Sequence, residues 1–356
     1  MDNIRQQAVN AIRVLSAEAV QKANSGHPGL PLGAAPMAYE LWADHMVHNP
    51  KNPKFFNRDR FVLSAGHGSM LLYSLLHLFG YGLSIDDIKN FRQLDSKTPG
   101  HPEYGHTVGV ETTTGPLGQG IANAVGMAIA ESILAARFNR EGLKLVDHYT
   151  YVIAGDGCMM EGIESEAASL AGTLKLGKLI VLYDSNNISI EGNTDIAFRE
   201  DVAARHKAQG WDIHYVEDGN NLKEISQAIA AAKSVADKPS LIVVKTQIGY
   251  GSPLAGSSDC HGSPLGEENL KKTKEFLNWN YAPFEVPQDV YDHYKELAKR
   301  GEEAEKNWNA LKQEYKAKYP QDYEEFEKAL NNQIPDLENI DSLWEYADKP
   351  DATRNS

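Results

Sequence analysis

The sequence predicts an α/β fold in which helices cover both faces of a doubly wound, mostly parallel sheet. Short apolar runs at 149–154, 179–183, 211–216 and 241–246 have the length and the composition of buried strands. Between them lie segments whose apolar residues recur at helical spacing, as at 221–235. This alternation is typical of right-handed β-α-β units, which build parallel sheets.

A change in composition divides the chain at about residue 286. A length of 356 residues is large for one domain. We therefore expect an α/β domain over 1–285 and a helical, then irregular, interdomain linker over 286–356. Segments 288–318 and 320–332 are rich in Glu, Lys and Gln, which indicates solvated helices whose charges need no functional explanation.

The charge balance and the cysteine content restrict the kind of partner. A net charge of −14 argues against nucleic acid or an anionic membrane surface as the main partner. The chain opens with no charged-then-apolar leader, and no uninterrupted apolar stretch reaches ~20 residues, so we expect neither an export signal nor a membrane span. Cys158 and Cys260 build no disulfide framework, which favours a reducing, cytoplasmic location.

Two polar motifs follow two of the predicted strands. Gly155-Asp156-Gly157 ends the first run, and Asn186-Asn187 follows the second. Either motif by itself is as often a plain turn or loop. Together they would meet at the carboxyl edge of a parallel sheet, where such sheets hold ligands. Carboxylate, amide and carbonyl oxygens suit Mg²⁺ or Ca²⁺, so the pair predicts a divalent metal that bridges the protein to a diphosphate.

Among the twelve histidines, four that each stand beside a glycine and outside any amphipathic helix are candidates for one shared cleft. These are His27, His67, His101 and His261. A single loop histidine is more often structural than catalytic, but four in this context suit a cleft for a polyhydroxylated substrate. A zinc site is the competing explanation. It is disfavoured because no two of them have ligand spacing on one helix and the cysteines form no C-x-x-C pair.

The motifs of this chain resemble those of the amino-terminal half of the transketolase family and occur in the same order along the sequence. Gly155-Asp156-Gly157 with Asn186-Asn187 resembles the motif that binds thiamine diphosphate (ThDP) in that family. The resemblance rests on Ser25-Gly26-His27-Pro28-Gly29, Gly66-His67-Gly68, Pro99-Gly100-His101-Pro102-Glu103, the run Thr113-Thr114-Gly115-Pro116-Leu117-Gly118-Gln119-Gly120, Gly155-Asp156-Gly157 with Glu161, Asp184-Ser185-Asn186-Asn187, and His261-Gly262. It covers essentially the whole chain. It implies the ThDP-binding fold and, within it, the diphosphate-binding module.

The resemblance also implies a role for particular residues. The metal ligands would be Asp156, Asn186 and the backbone carbonyl of Ile188. The residues near ThDP would be His67, Gly115, Leu117, Gly157, Asn186 and His261. Catalysis would involve His27, His101 and His261, and the sugar phosphate would be bound by His27, His261 and Arg354. Glu161 would lie at the dimer interface.

The activity that the resemblance implies is a transferase reaction of the pentose phosphate pathway. A two-carbon ketol unit would pass reversibly from a ketose phosphate to an aldose phosphate, with ThDP and Mg²⁺ or Ca²⁺ as cofactors and a homodimer as the working form. Two alternatives stay open on this sequence. One is a ketol transferase of the dihydroxyacetone synthase type, and the other is a cofactor-binding subunit without catalysis of its own.

The sequence departs from the family pattern in length. Transketolases continue past the matched part with a pyrimidine-binding domain and a further carboxyl-terminal domain. The glutamate that contacts the aminopyrimidine of ThDP belongs to that later part. We therefore expect this chain to be an amino-terminal fragment that is inactive by itself, with a separately encoded second half as the alternative.

Overall fold

The computed structural model describes residues 3–334, 337–345, 349–350 and 352–355, and it confirms the predicted α/β class. Within these residues a five-stranded parallel sheet has the strand order β1-β2-β3-β7-β6. Its strands are β1 (Arg60–Leu63), β2 (Thr150–Gly155), β3 (Leu179–Ser185), β6 (Asp212–Val216) and β7 (Ser240–Lys245). The short strands β4 (Ile188–Ser189) and β5 (Gly192–Asn193) pair antiparallel in a separate hairpin.

The helices alternate with these strands along the chain. They are α1 (Asn3–Ala23), α2 (Gly29–Glu40), α3 (Ser69–Phe79), α4 (Ile85–Lys89), α5 (Gln119–Phe138), α6 (Asp156–Met159), α7 (Gly162–Thr173), α8 (Val202–Ala208), α9 (Leu222–Lys233), α10 (Glu267–Phe276), α11 (Gln288–Lys318) and α12 (Pro320–Leu330). A single π-helical turn, Leu41–His45, continues α2.

The central strands are continuous apolar runs because both of their faces are covered. All residues of β2 are buried, and in β3 only Ser185 is partly accessible. Helix α5 packs against β1, β2 and β3, while α9 packs against β3, β6 and β7. Two covered faces leave no position for the polar-apolar alternation of a half-exposed strand. The parallel pairing of β2 with β3 brings the polar residues that follow both strands to the same edge of the sheet.

The charged helices near the carboxyl end bury more side chains than their composition suggests. Val290 and Tyr294 of α11 belong to the main core, where the Tyr294 hydroxyl donates a hydrogen bond to the Ala8 carbonyl (2.9 Å). Farther along, Trp308 and, in α12, Phe326 belong to a second apolar cluster. The expectation of simply solvated helices is therefore incomplete, and the boundary at residue 286 stays a prediction.

Candidate active site

The carboxyl edge of β2 and β3 carries the predicted metal ligands. The register pairs Gly155 with Asp184, so Asp156, one residue farther along, and Asn186, two residues farther along, lie close together. Both backbone N–H groups that follow β3, those of Asn186 (3.3 Å) and Asn187 (2.9 Å), donate to Asp156 Oδ2. The parallel pairing thus brings together two motifs that are separated by a helix in the sequence.

The amide of Asn186 is held in one orientation at this edge. Its Nδ2 donates to Asp184 Oδ2 (3.1 Å), and its Oδ1 accepts the N–H of Ile188 (3.0 Å). The hydroxyl of Tyr183 donates to Asp156 Oδ1 (2.5 Å). Carboxylate, amide and carbonyl oxygens are the donors that a hard divalent cation prefers, so Asp156, Asn186 and Ile188 fit such an ion.

The predicted histidines meet although they lie far apart in sequence. The ring centroids of His27 and His67 are 5.1 Å apart, and those of His67 and His261 are 5.2 Å apart and nearly parallel. His27 and His261 are separated by 5.8 Å. His101 lies against Gly115, where an added Cβ would come within 3.2 Å of its ring. These four residues, His27, His67, His101 and His261, form the histidine cluster.

Close approach of the backbones brings these rings together. A Cβ placed on Gly29 would lie 2.6 Å from the carbonyl oxygen of Cys260, the residue before His261. A Cβ on Gly66 would lie 2.7 Å from the backbone nitrogen of Gly115. Real Cβ atoms do not approach backbone so closely, so only glycine allows these segments to touch. The glycines beside the histidines therefore set the distances between loops.

Burial keeps the histidine cluster neutral at neutral pH. It lowers the pKa of His27 to about 4 and that of His67 to about 3, with the neighbouring histidines adding to the effect. The pKa values of His101 and His261 are lowered by burial as well. Neutral imidazoles offer one donor and one acceptor each. His261 Nδ1 is buried and lacks a hydrogen-bond partner among the described residues.

The carboxyl edge of β2 and β3, with Asp156, Asn186 and Ile188, forms the candidate metal edge. A cavity of about 350 Å³ joins this metal edge to the histidine cluster. Its lining includes every site residue predicted from the sequence except Arg354: His27, His67, His101, Gly115, Leu117, Asp156, Gly157, Glu161, Asn186, Ile188 and His261. A Cβ on Gly157 would come within 2.8 Å of Leu117 Cδ1, so glycine at this position leaves room for the Leu117 side chain. Arg354 is exposed in the single turn Thr353–Asn355, and its role stays a prediction.

Sequence reasoning missed several residues of this site. Leu30, Ile190 and Ile248 add apolar surface to the cavity, and nothing in the sequence distinguishes them from core residues. Arg92 donates to Ser25 Oγ (2.8 Å) and lies 3.5 Å from His27 Nδ1. Its positive φ of 59°, which few non-glycine residues adopt, marks a constrained position. That signal becomes visible only in the structure.

Comparisons with known proteins agree with this geometry. Residues 4–335 match the family described as "Transketolase, thiamine diphosphate binding domain". The transketolase of Bacillus subtilis (strain 168) is 59% identical over 338 residues, which cover 94% of this chain and 51% of that protein. The transketolase of Halalkalibacterium halodurans is 58% identical over 336 residues, with 94% and 50% covered.

A solved structure shows the same fold. The transketolase of Pichia stipitis, in complex with sedoheptulose-7-phosphate, superposes with a TM-score of 0.91 at 48% identity and covers 94% of this chain and 50% of its own. The chain thus spans about half the length of the curated relatives that it matches. By sequence and by fold, it belongs to the transketolase family through its thiamine diphosphate-binding domain.

Proposed function

We propose that this chain binds ThDP through a divalent metal and provides the diphosphate-binding half of a transketolase. The observation that carries the proposal is the joint position of the oxygen ligands and the histidine cluster on one cavity. The oxygens suit Mg²⁺ or Ca²⁺, and the glycines of the lining allow a bulky anion to approach the backbone. The cavity volume is in the range of ordinary cofactor pockets.

The residues of the chain would divide the tasks along the cavity. Asp156, Asn186 and the Ile188 carbonyl would hold the metal and, through it, the diphosphate. His67, Gly115, Leu117, Gly157 and His261 would surround the rest of the cofactor. Bound ThDP would supply the carbon nucleophile that takes up the two-carbon unit.

The histidine cluster would act on the sugar. Neutral His27, His101 and His261 can hydrogen-bond the hydroxyls of a ketose phosphate and can accept or return a proton at a sugar oxygen. Their lowered pKa values favour the acceptor form over the cation at neutral pH. Arg354 would bind the sugar phosphate through its guanidinium, a geometry that suits phosphate oxygens.

Helix α5 supports a homodimer as the working form. By length and apolar composition it is one helix that could cross a membrane, which is weak evidence for a span, and only 33% of its most apolar window is buried within the described chain. Its accessible face forms an open groove lined by Ala122, Asn123, Gly126, Met127 and Ala130. Ile133 adds a side chain that is 62% exposed. A second copy of the chain would cover this apolar face and would bring Glu161 to the interface.

The dimer can be tested with one substitution. A Cβ on Gly126 would meet no atom within 4 Å, so Gly126→Lys fits the isolated chain and places a charge on the proposed interface. We expect sedimentation to show a dimer for the unmodified chain and a monomer for the variant, with equal circular dichroism. A dimer that withstands Gly126→Lys would remove α5 from the interface.

The cofactor proposal is tested by calorimetry. ThDP titrated into the chain should bind in the presence of Mg²⁺ and should not bind measurably after chelation of the metal. At a free ThDP concentration of 100 times the dissociation constant, the free energy of unfolding should rise by about 2.7 kcal/mol. No binding of ThDP with either Mg²⁺ or Ca²⁺ would overturn the proposal.

The catalytic part is tested by complementation. The chain is mixed with the remaining half of the Bacillus subtilis relative, and the transfer from a ketose phosphate to an aldose phosphate is followed. We expect conversion by the mixture and not by either part alone. If the mixture binds ThDP but converts nothing, the chain is a cofactor-binding module only. Formaldehyde in place of the aldose phosphate tests the alternative acceptor.

A further inference from the structure

Two buried residues near the end of β3, Tyr183 and Asp184, form hydrogen bonds with side chains of the proposed metal site. Successive side chains of a strand point to opposite faces of the sheet, so Tyr183 and Asp184 leave β3 in opposite directions. Each nevertheless bonds a different one of the two side chains in the proposed metal site. Tyr183 donates to Asp156 Oδ1, and Asp184 accepts from Asn186 Nδ2. Both are buried, with exposed fractions of 5% and 1%.

Asn186 needs a partner that decides its orientation. The two ends of a side-chain amide have nearly the same shape, but only the oxygen can bind a metal. The Asp184 oxygen Oδ2 accepts a hydrogen bond from the Asn186 Nδ2 group (3.1 Å), so Asp184 selects the NH₂ end of the amide. The Thr246 hydroxyl donates to the other oxygen of Asp184, Oδ1, and keeps that carboxylate in place. The Asn186 oxygen is thereby turned towards Ile188, whose N–H it accepts.

Asp156 is fixed in a comparable way. Its Oδ2 accepts the two backbone N–H groups of Asn186 and Asn187, and its Oδ1 accepts one hydrogen bond, from Tyr183. A carboxylate oxygen has about two lone-pair sites, so Oδ1 keeps one for a cation. Without the Tyr183 hydroxyl the carboxylate would retain its two backbone bonds but could turn about them.

We propose that Tyr183 and Asp184 are positioning residues of the divalent metal site: Tyr183 orients the Asp156 carboxylate, and Asp184 orients the Asn186 amide. This inference rests on the proposed metal-dependent binding of ThDP. Residues that orient metal ligands commonly change metal affinity by about 10- to 100-fold when they are replaced. Strand β3 would then carry the ligand Asn186 just beyond its carboxyl end and would align the ligand Asp156 through Tyr183.

The test measures the metal rather than the reaction. At a fixed ThDP concentration, Mg²⁺ is titrated and cofactor binding is followed by calorimetry. Tyr183→Phe removes one hydroxyl and should raise the Mg²⁺ concentration for half-saturation by about 10-fold or more, with full binding restored by excess Mg²⁺. Asp184→Ala should raise it at least as much, and circular dichroism without metal checks that this variant folds.

Tyr151→Phe is the matched control. Tyr151 lies in the adjacent strand β2, is fully buried, and its hydroxyl has no hydrogen-bond partner among the described residues. Its half-saturation should stay within about twofold of the unmodified chain, since this hydroxyl contacts no ligand of the metal. If Tyr183→Phe stays within that range too, or if both tyrosine variants shift equally, the inference is overturned. Failure of the unmodified chain to bind ThDP would overturn the proposed function itself.

Discussion

The two ends of the cavity differ in how much of their hydrogen-bonding capacity the chain itself uses. At the metal edge, both oxygens of Asp156 and both ends of the Asn186 amide already have protein partners. In the histidine cluster, His67 contacts its neighbours ring to ring, and His261 Nδ1 has no partner within the described residues. One end is organised in advance by protein hydrogen bonds, and the other leaves the buried His261 Nδ1 without such a bond in the described part of the chain.

This difference fits two kinds of recognition. A metal requires ligands at fixed distances, and a flexible site would lose affinity through the cost of ordering them. A sugar presents several hydroxyls that can each donate or accept, so neutral imidazoles with unused nitrogens are suitable partners. An imidazole nitrogen that is buried without a hydrogen-bond partner lowers the stability of the ligand-free chain, because burial of an unpaired polar atom is unfavourable.

The largest expected effect comes from breaking the metal edge at its carboxylate. Asp156→Ala removes the charged ligand and the acceptor of two backbone N–H groups. We expect metal-dependent ThDP affinity to fall by more than about 100-fold, beyond the usual effect of a residue that only orients a ligand. Calorimetry with Mg²⁺ measures the loss. Asp195→Ala, at an exposed position of the turn Thr194–Ile196, serves as the control, and equal affinities of the two variants would exclude Asp156 from the site.

A smaller effect is expected from separating the segments of the histidine cluster. In Gly29→Ala the new Cβ would lie 2.6 Å from both the Cys260 carbonyl oxygen and Ile248 Cγ1. Such overpacking costs about 1–3 kcal/mol, which a urea denaturation curve measures. Equal stability of Gly29→Ala and the unmodified chain would mean that the loops adjust freely.

An effect of a size similar to that of Gly29→Ala concerns pH. Folding lowers the pKa of His67 from 6.5 to about 3. In that window the unfolded chain binds the proton and the folded chain does not, so stability is complete above pH 6.5 and is lost as the pH falls towards 3. Between pH 6.5 and about 3, His67→Gln should reduce the number of protons taken up on unfolding by up to one proton per chain.

Denaturation midpoints at pH 7 and pH 4.5 measure this change. The exposed His106 provides the control, because His106→Gln should leave the difference between the two midpoints as it is in the unmodified chain. An unchanged difference in His67→Gln would show that the other buried groups dominate the acid response.

Much of the site could be predicted because its motifs lie on strand ends and glycine-rich turns. The residues Asp156 and Asn186 were found from the apolar runs before them, and His27 and His261 from the glycines beside them. The helices near the carboxyl end were harder, because charged residues surround Tyr294 and Trp308 and conceal their buried faces. The capping box of α4, in which Ser84 and Asp87 accept hydrogen bonds from each other's backbone N–H groups, depends only on residues three positions apart.

The sequence by itself determined the α/β class and located the polar residues after two strands and the glycine-flanked histidines, because each of these depends on periodicity or on neighbours a few residues away. Only the tertiary structure decided which distant groups touch. Tyr183 looks like any residue of a buried strand until the pairing of β2 with β3 places its hydroxyl on Asp156. Similarly, the contact of Gly29 with Cys260 joins segments more than two hundred positions apart. Such contacts follow from strand order and from close packing, which no local pattern encodes.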